Sequence, residues 1–167
     1  MARDEILVRR LEENEFALLR RLRLAALADA PTMFLQTFDE AASYSDEDWR
    51  TRARRYAEAA SGTCLIASRR ADPIGMAFGF VDGERSSVAR VGGMWVTPNA
   101  RRIGAGAKLL GAVRDWAAER RCEELRLHVF HAGRDAEFFY RSQGLRVLAP
   151  EPDEDGFVEY GERLPVA

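Results

Sequence analysis

Apolar and polar residues follow two periods along this chain, and each period predicts one kind of element. Apolar side chains recur at helical spacing over residues 12–29, which predicts an amphipathic helix there. This helix should end before Pro31, because the residue ahead of a proline disfavours helical backbone. A segment of weak periodicity, residues 32–45, leads to a second predicted helix. Ser45 can cap that helix, and the three acidic residues that follow place negative charge in its first turn.

The middle of the chain alternates with a period of two, which is typical of β-strands. Three strands joined as a meander are predicted at residues 63–68, 74–81 and 87–96. Asp82 and Gly83, between the second and third of these strands, form a hairpin signal. Gly92 and Gly93 interrupt the alternation of the third strand. Paired glycines inside a strand indicate a bulge or the close approach of another group to the backbone.

The last third of the chain predicts a strand–helix–strand crossover. A helix with an apolar face follows Gly106, a strand covers residues 124–130, and a short helix over residues 134–143 ends at Gly144. Further strands are predicted at residues 6–9, 145–148 and 157–164. This order of elements predicts a single α/β domain over residues 1–167, with a mixed, mostly antiparallel central sheet flanked by helices.

Composition places the chain among globular proteins. Hydrophobic residues make up 47% and charged residues 31% of its 167 residues, and the net charge is −2. This balance creates no general field that attracts nucleic acid or anionic lipid. Arginines within residues 50–55 alternate with acids close by, so we expect a salt-bridged helix face there rather than a nucleic-acid site.

The sequence shows no segment that predicts export or membrane insertion. The N-terminus lacks the apolar core of a signal peptide, and no apolar run is long enough to cross a bilayer. Cys64 and Cys122 are single cysteines without CxxC spacing, which favours two reduced, buried thiols. We therefore predict a cytoplasmic protein with no nucleic-acid or membrane partner, and leave open whether it is a monomer or a homodimer.

The segment VTPNARRIGAGAKLL, residues 96–110, joins a predicted strand to a predicted helix. Backbone N–H groups are unpaired at a helix start, where the helix dipole is positive. Gly104 and Gly106 lack the Cβ atoms that would hold phosphate oxygens away, and Arg101 and Arg102 can add charge-assisted hydrogen bonds. This turn therefore predicts a pyrophosphate-binding site.

Three classes of ligand use such a turn. A nucleotide P-loop needs GxxxxGK(S/T), but Lys108 is preceded by Ala107 and followed by Leu109, and the required upstream glycine is absent. A dinucleotide fingerprint needs GxGxxG after the first strand of a parallel sheet, whereas Leu109 stands at the third glycine position and the preceding strands are predicted to be antiparallel. The third class is coenzyme A.

The same residues resemble the acyl-CoA-binding signature of the GNAT superfamily of N-acyltransferases, Q/R-x-x-G-x-G/A after a strand. Arg101, Gly104 and Gly106 match that signature. The downstream segment AEFFYRSQGL is similar to a second family segment, which it matches at Ala136, Tyr140, Gly144 and Leu145. The asparagine often found seven residues before the tyrosine is replaced by Gly133, and Asp135 is the candidate to replace its contact. The resemblance follows the element order from residue 6 to residue 164.

The resemblance implies a GNAT-like fold and an N-acetyltransferase. Such an enzyme would move an acetyl group from acetyl-CoA, without a metal, to a primary amine of a small molecule or peptide by direct attack in a ternary complex. Tyr140 would be the acid that protonates the leaving thiolate. The residues implied to bind the cosubstrate are Met94, Trp95, Val96, Arg101, Arg102, Ile103, Gly104, Ala105, Gly106 and Ala107.

The catalytic base and the acceptor stay open at the level of sequence. Met94 and Trp95 stand where some relatives carry a glutamate, and a lone histidine on a strand, His128, is more often a packing residue. Phe34 and Phe38 are candidates for the acceptor side, because the first helices and their connection line that side in the family. Two other functions compete with catalysis, namely a non-catalytic acyl-CoA-binding module and a phosphate-binding interaction domain.

Overall fold

A seven-stranded sheet forms the centre of residues 5–166, the part of the chain that the computed structural model describes. Its strands, in chain order, are β1 Ile6–Arg10, β2 Gly62–Arg69, β3 Asp72–Val81, β4 Val88–Val96, β5 Glu124–Phe130, β6 Arg146–Ala149 and β7 Phe157–Arg163. They lie side by side in the order β1-β2-β3-β4-β5-β7-β6. Each predicted strand is present, and its bounds differ from the prediction by at most two residues.

The helices of this part of the chain are α1 Phe16–Asp29, α2 Phe38–Ala42, α3 Asp46–Glu58, α4 Ala105–Glu119 and α5 Arg134–Ser142. Short 3₁₀ turns follow α1 and precede α4.

Helix α1 begins later than predicted, because Glu15 folds back in a turn and pairs with Arg9, with 2.6 Å between Glu15 Oε1 and Arg9 Nη2. Helix α2 lies in the segment of weak periodicity and was not predicted. Ser45 caps α3 in a reciprocal capping box with Asp48, as predicted. Each helix of residues 5–166 is too short or too polar to cross a bilayer.

The connections give the sheet one parallel pair in an otherwise antiparallel arrangement. Strands β1 to β4 pair in chain order as antiparallel neighbours, and α4 then carries the chain across to β5, which pairs with β4 in parallel. Strand β7 pairs with β5 and β6, both antiparallel. This confirms the mixed, mostly antiparallel sheet that the sequence predicts.

Strands β4 and β5 pair over only three residues each. Val88, Ala89 and Arg90 face residues 124–126, and beyond Arg90 the two strands no longer pair. On its other side β4 shifts register against β3 near Gly93, whose φ of 55° lies in the left-handed region. The shift is the predicted bulge, which changes the course of β4 where it leaves β5.

Two apolar clusters cover the two faces of the sheet. One lies under α4 and includes Leu109, Val113 and Trp116, which pack on inward residues of β3, β4 and β5. The other lies under α1 and α3 and includes Leu22 and Trp49.

Cys64 and Cys122 are both buried and unpaired, as predicted. Arg50 and Arg54 of α3 pair with Glu47 and Glu13, which is the predicted salt-bridged face.

Replacing Gly93 with alanine should destabilise the fold by about 1–3 kcal/mol, because a left-handed backbone disfavours an L side chain. A Cβ at this position would also lie 2.6 Å from Phe78 Cε2. Chemical denaturation measures the loss. Gly83→Ala is the control, since nothing lies within 4 Å of its added methyl group. Equal free energies of unfolding for the two variants would contradict a bulge that requires glycine.

Candidate active site

The gap between β4 and β5 opens into a cleft of about 1030 Å³. Its walls are residues 91–96 of β4, residues 127–129 of β5, the start of α4 and one side of α5, and Met33 and Phe34 close one end. Ligand pockets for small molecules span about 300–1,000 Å³, so the cleft has room for a ligand of cofactor size. The cleft brings together the two segments that carry the sequence signature.

The start of α4 has open backbone donors. Gly104 is the N-cap residue, with a φ of 92°, and α4 has neither a side-chain cap nor an acidic residue in its first turn. A Cβ on Gly106 would lie 3.1 Å from Phe139 Cζ, so glycine lets α5 pack close to this turn. Unpaired N–H groups at the positive end of a helix suit an anion. This local geometry fits the expected pyrophosphate.

The Arg101 side chain is bound to protein groups rather than directed at the turn. Its Nε donates to the carbonyl oxygen of Val96 at 2.9 Å, and its guanidinium forms an ion pair with Asp29. Trp95 donates from its indole Nε1 to the same Asp29 carboxylate at 2.9 Å. This hydrogen bond from Trp95, together with Arg101, holds the pKa of Asp29 below its usual value. The exposed Arg102 has no side-chain partner among residues 5–166, so its charge is available beside the turn.

Strand β4 presents backbone to the cleft. Met94 and Val96 line it, and because β4 has left β5 by this point, the backbone on that side has no strand partner within residues 5–166. Trp95 also contributes to the wall, although its side chain belongs to the cluster under α1. An extended ligand can pair with such a strand edge as an added strand does.

Tyr140, on α5, lies on the same cleft wall as the signature turn. Its side chain is 8% exposed, and within residues 5–166 its hydroxyl has no hydrogen-bond partner. Burial raises the pKa of Tyr140, so the hydroxyl keeps its proton at neutral pH. The tyrosine therefore offers a buried proton donor at the cleft rather than a fully enclosed core contact.

Gly133, at the position of the family asparagine, is the N-cap residue of α5. A Cβ at Gly133 would lie 2.6 Å from Met33 Cε and 3.1 Å from the Phe130 carbonyl oxygen, so the end of the Met33 side chain packs against this glycine. Asp135, the candidate to replace the contact of the asparagine, is exposed and lines the cleft.

His128 was interpreted as a packing residue, and the structure places it in the cleft instead. Its side chain is 43% exposed, and its Nε2 lies 3.9 Å from a Glu159 carboxylate oxygen. The signal was present in the sequence, because Leu125, Leu127 and Val129 alternate with it and occupy the buried face of β5. Strand alternation therefore directs His128 to the opposite face.

The remaining candidates divide between the cleft wall and the surface. Ala105 and Ala107 line the cleft with Arg102 and the two turn glycines, whereas the exposed side chain of Ile103 lies outside the lining. Phe34, a candidate for the acceptor side, lines the cleft. Phe38 begins α2 and is exposed outside the lining. No cluster of three or more His, Cys, Asp or Glu side chains within residues 5–166 could hold a metal ion.

The fold and the family model together place the chain in the class of acyltransferases. The chain belongs to the GNAT acetyltransferases, since the family model described as "Acetyltransferase (GNAT) family" matches residues 24–145. No curated protein sequence matches the chain.

Solved structures of low sequence identity share the whole fold. A GNAT acetyltransferase from Streptococcus pneumoniae superposes with a TM-score of 0.78 at 17% identity, covering 96% of this chain and 100% of that chain. The PaiA N-acetyltransferase of Thermoplasma acidophilum, in complex with coenzyme A, gives 0.75 at 17% identity, with coverage of 95% and 99%. The yncA protein of Salmonella typhimurium, with acetyl-CoA, gives 0.78 at 14% identity, with coverage of 98% and 96%.

Replacing Gly104 with valine should abolish acetyl-CoA binding while the protein stays folded, because a β-branched residue cannot easily adopt the left-handed N-cap that opens the turn. Isothermal titration with acetyl-CoA measures the effect. Gly111→Val is the matched control, since both glycines have no atom within 4 Å of an added Cβ and only Gly104 has a positive φ. Unchanged affinity in Gly104→Val would remove the turn from the binding site.

Proposed function

We propose that this chain is an N-acetyltransferase that moves an acetyl group from acetyl-CoA to a primary amine of a small molecule or peptide, by direct attack in a ternary complex. One observation carries the proposal. The divergence of β4 and β5 opens a single cleft that contains both the uncapped start of α4 and the unpaired Tyr140 hydroxyl. Membership of the GNAT family supports the same chemistry.

The cosubstrate would lie along two parts of the cleft. The backbone of residues 103–107 would hold the pyrophosphate, with the charge of Arg102 beside it. The pantetheine amides would pair with the open edge of β4 at residues 94–96, where a backbone N–H can also polarise the thioester carbonyl. A donor of this kind contributes about 3 kcal/mol in acyl transfer. Arg101 would act by holding the turn against Asp29 rather than by touching phosphate.

The acceptor amine must lose a proton before or as it attacks. With a lysine-like pKa of ~10.4, one amine in ~2,500 is neutral at pH 7, so removing the proton is worth roughly 5 kcal/mol. We propose that His128 takes this proton, directly or through one water. It is an exposed imidazole on the cleft wall, and its Nε2 lies 3.9 Å from one carboxylate oxygen of Glu159, whose other oxygen accepts from Arg126.

Attack forms the C–N bond of the amide and breaks the C–S bond of the thioester. The departing thiolate then needs a proton, and Tyr140 supplies it from the cleft wall. Thiols titrate near ~8.5 and phenols near ~10, so a hydrated thiolate would be a weaker base than the Tyr140 phenolate. The transfer therefore requires that the sulfur loses its water in the cleft, because desolvation raises the basicity of the thiolate just as burial raises the pKa of Tyr140.

Two measurements separate catalysis from the competing functions. Turnover of acetyl-CoA is followed as thiol release against a panel of amino acids, polyamines, aminoglycosides and peptides. Acetyl-CoA binding is measured in parallel. Tight binding with no acetylated product across the panel would favour a non-catalytic acyl-CoA-binding module, and binding of free phosphate without coenzyme would favour an interaction domain. The cytoplasmic location and the absence of a metal, nucleic-acid or membrane partner stay predictions.

Replacing Tyr140 with phenylalanine should lower turnover by about 10²-fold or more, with acetyl-CoA affinity nearly unchanged, because the ring still packs and only the proton is lost. Steady-state kinetics and a titration measure the two quantities. Tyr160→Phe, on β7 outside the cleft, deletes the same hydroxyl as a control. Intact turnover would make Tyr140 a packing residue, and lost binding would make it a residue that shapes the site.

Replacing His128 with glutamine should lower turnover by about 10²–10⁴-fold for an alkyl amine, the range of general base catalysis. The loss of turnover should be smaller for hydroxylamine, which is mostly neutral at pH 7 and needs no base before attack. Rates for both acceptors are compared in one assay. His131→Gln removes the other histidine, whose Nδ1 contacts the Gly156 carbonyl oxygen outside the cleft, and should change neither rate. Equal losses for both acceptors would exclude His128 as the base.

A further inference from the structure

Arg23 carries a charge that the described chain does not neutralise. Its Nε donates to Gln36 Oε1 at 3.0 Å, but its Nη1 is buried without a hydrogen-bond partner. Within residues 5–166 no carboxylate pairs with it. Burial lowers the pKa of Arg23, which reflects the loss of water around the cation. A buried guanidinium with an open donor is costly unless an anion comes to it.

The guanidinium of Arg23 lies directly behind the cleft. Its Nη1 is 3.2 Å from the position that a Cβ on Gly93 would occupy, so it stands against the bulge of β4. Its Cζ is 4.9 Å from the ring centroid of Phe34 and 5.7 Å from that of Phe78. Gly93 and Phe34 both line the cleft. The cation therefore lies against two residues of the cleft lining, next to residues 94–96, where the thioester would lie.

The groups around Arg23 are donors and aromatic rings rather than acids. Arg52 of α3 is close enough to lower the pKa of Arg23 further, and the Tyr44 and Tyr56 hydroxyls lie on the same side. Gln36 donates from Nε2 to the Tyr44 hydroxyl at 3.0 Å. Asp48 interacts with Arg52, but within residues 5–166 no carboxylate pairs with Arg23. Its open donor and the aromatic walls therefore suit a planar anion, which a guanidinium can bind through two parallel hydrogen bonds.

We propose that Arg23 binds the carboxylate of the acceptor, and hence that the acceptor is a free amino acid rather than a polyamine or an aminoglycoside. This inference rests on the proposed acetyl transfer. Arg23 stands against the bulge at Gly93, next to residues 94–96 where the thioester would lie, so the carboxylate and the amine of the acceptor would lie close together, as they do in an α-amino acid. Phe34, in the loop after the 3₁₀ turn 31–33, contacts the guanidinium and lines the cleft, so its ring would have to turn aside to admit the carboxylate.

The experiment compares free L-phenylalanine, L-leucine and L-methionine with their carboxamides as acceptors, by kcat/KM for thiol release. The carboxamides have the less basic amine, so reactivity alone favours them, and a preference for the acids reports carboxylate binding. The wild-type protein should prefer the acids by at least about 10-fold. Arg23→Gln should lower kcat/KM for the acids by about 10- to 100-fold and leave the carboxamides unchanged, as expected for a lost charged hydrogen bond.

Arg21→Gln is the matched control, because Arg21 is exposed on the same helix and should change neither class. Melting temperature and acetyl-CoA affinity check each variant, and Arg23→Met is a second variant that removes the unpaired charge without a polar replacement. If both variants fail to fold, the ratio of kcat/KM for the acids to kcat/KM for the carboxamides, measured on the wild-type protein, decides the question alone. Equal use of acids and carboxamides would overturn the inference and leave the acetyltransferase intact. No product with any amine would overturn both.

Discussion

The early separation of β4 from β5 is the constraint on which the rest of the structure depends. A parallel pair joined by a crossover helix would ordinarily continue as a ladder, but here pairing ends after three residues on each strand. The bulge at Gly93 changes the course of β4 at this point. A closed ladder would satisfy the backbone and fill the space. Its absence leaves a strand edge, a helix start and the Tyr140 hydroxyl facing one cavity.

A second constraint links the two faces of the sheet. Asp29 at the end of α1 accepts from Trp95 of β4 and pairs with Arg101 of the turn before α4. Three distant parts of the chain thus meet at one carboxylate. Helix α1 is thereby fixed to β4 and to the turn before α4, so these parts of the cleft wall keep their relative position. The arginine of the signature has a structural role that its motif does not reveal.

Sequence periodicity predicted most elements because helices and strands depend on neighbours a few residues away. It missed α2, which is too short to show a period, although the Thr37–Glu40 capping box was a local signal for it. It could not show that Met33 fills the space beside Gly133, nor that Arg23 lies behind Gly93. These contacts join residues far apart in the chain, and their partners follow from the sheet order rather than from any local pattern.

Helices α3 and α4 begin in opposite ways. Helix α3 satisfies its first donors with Ser45 and Asp48, whereas α4 begins on Gly104 with no side-chain cap. An anion bound there would complete the first turn of α4 and act as its cap, so that ligand binding and helix stability would be one equilibrium. Mass action adds about 2.7 kcal/mol to folding when a ligand is present at 100 times its dissociation constant. Amide hydrogens at the start of α4 should then exchange more slowly as the ligand concentration rises, so that the supply of ligand would also set the local rigidity of the protein.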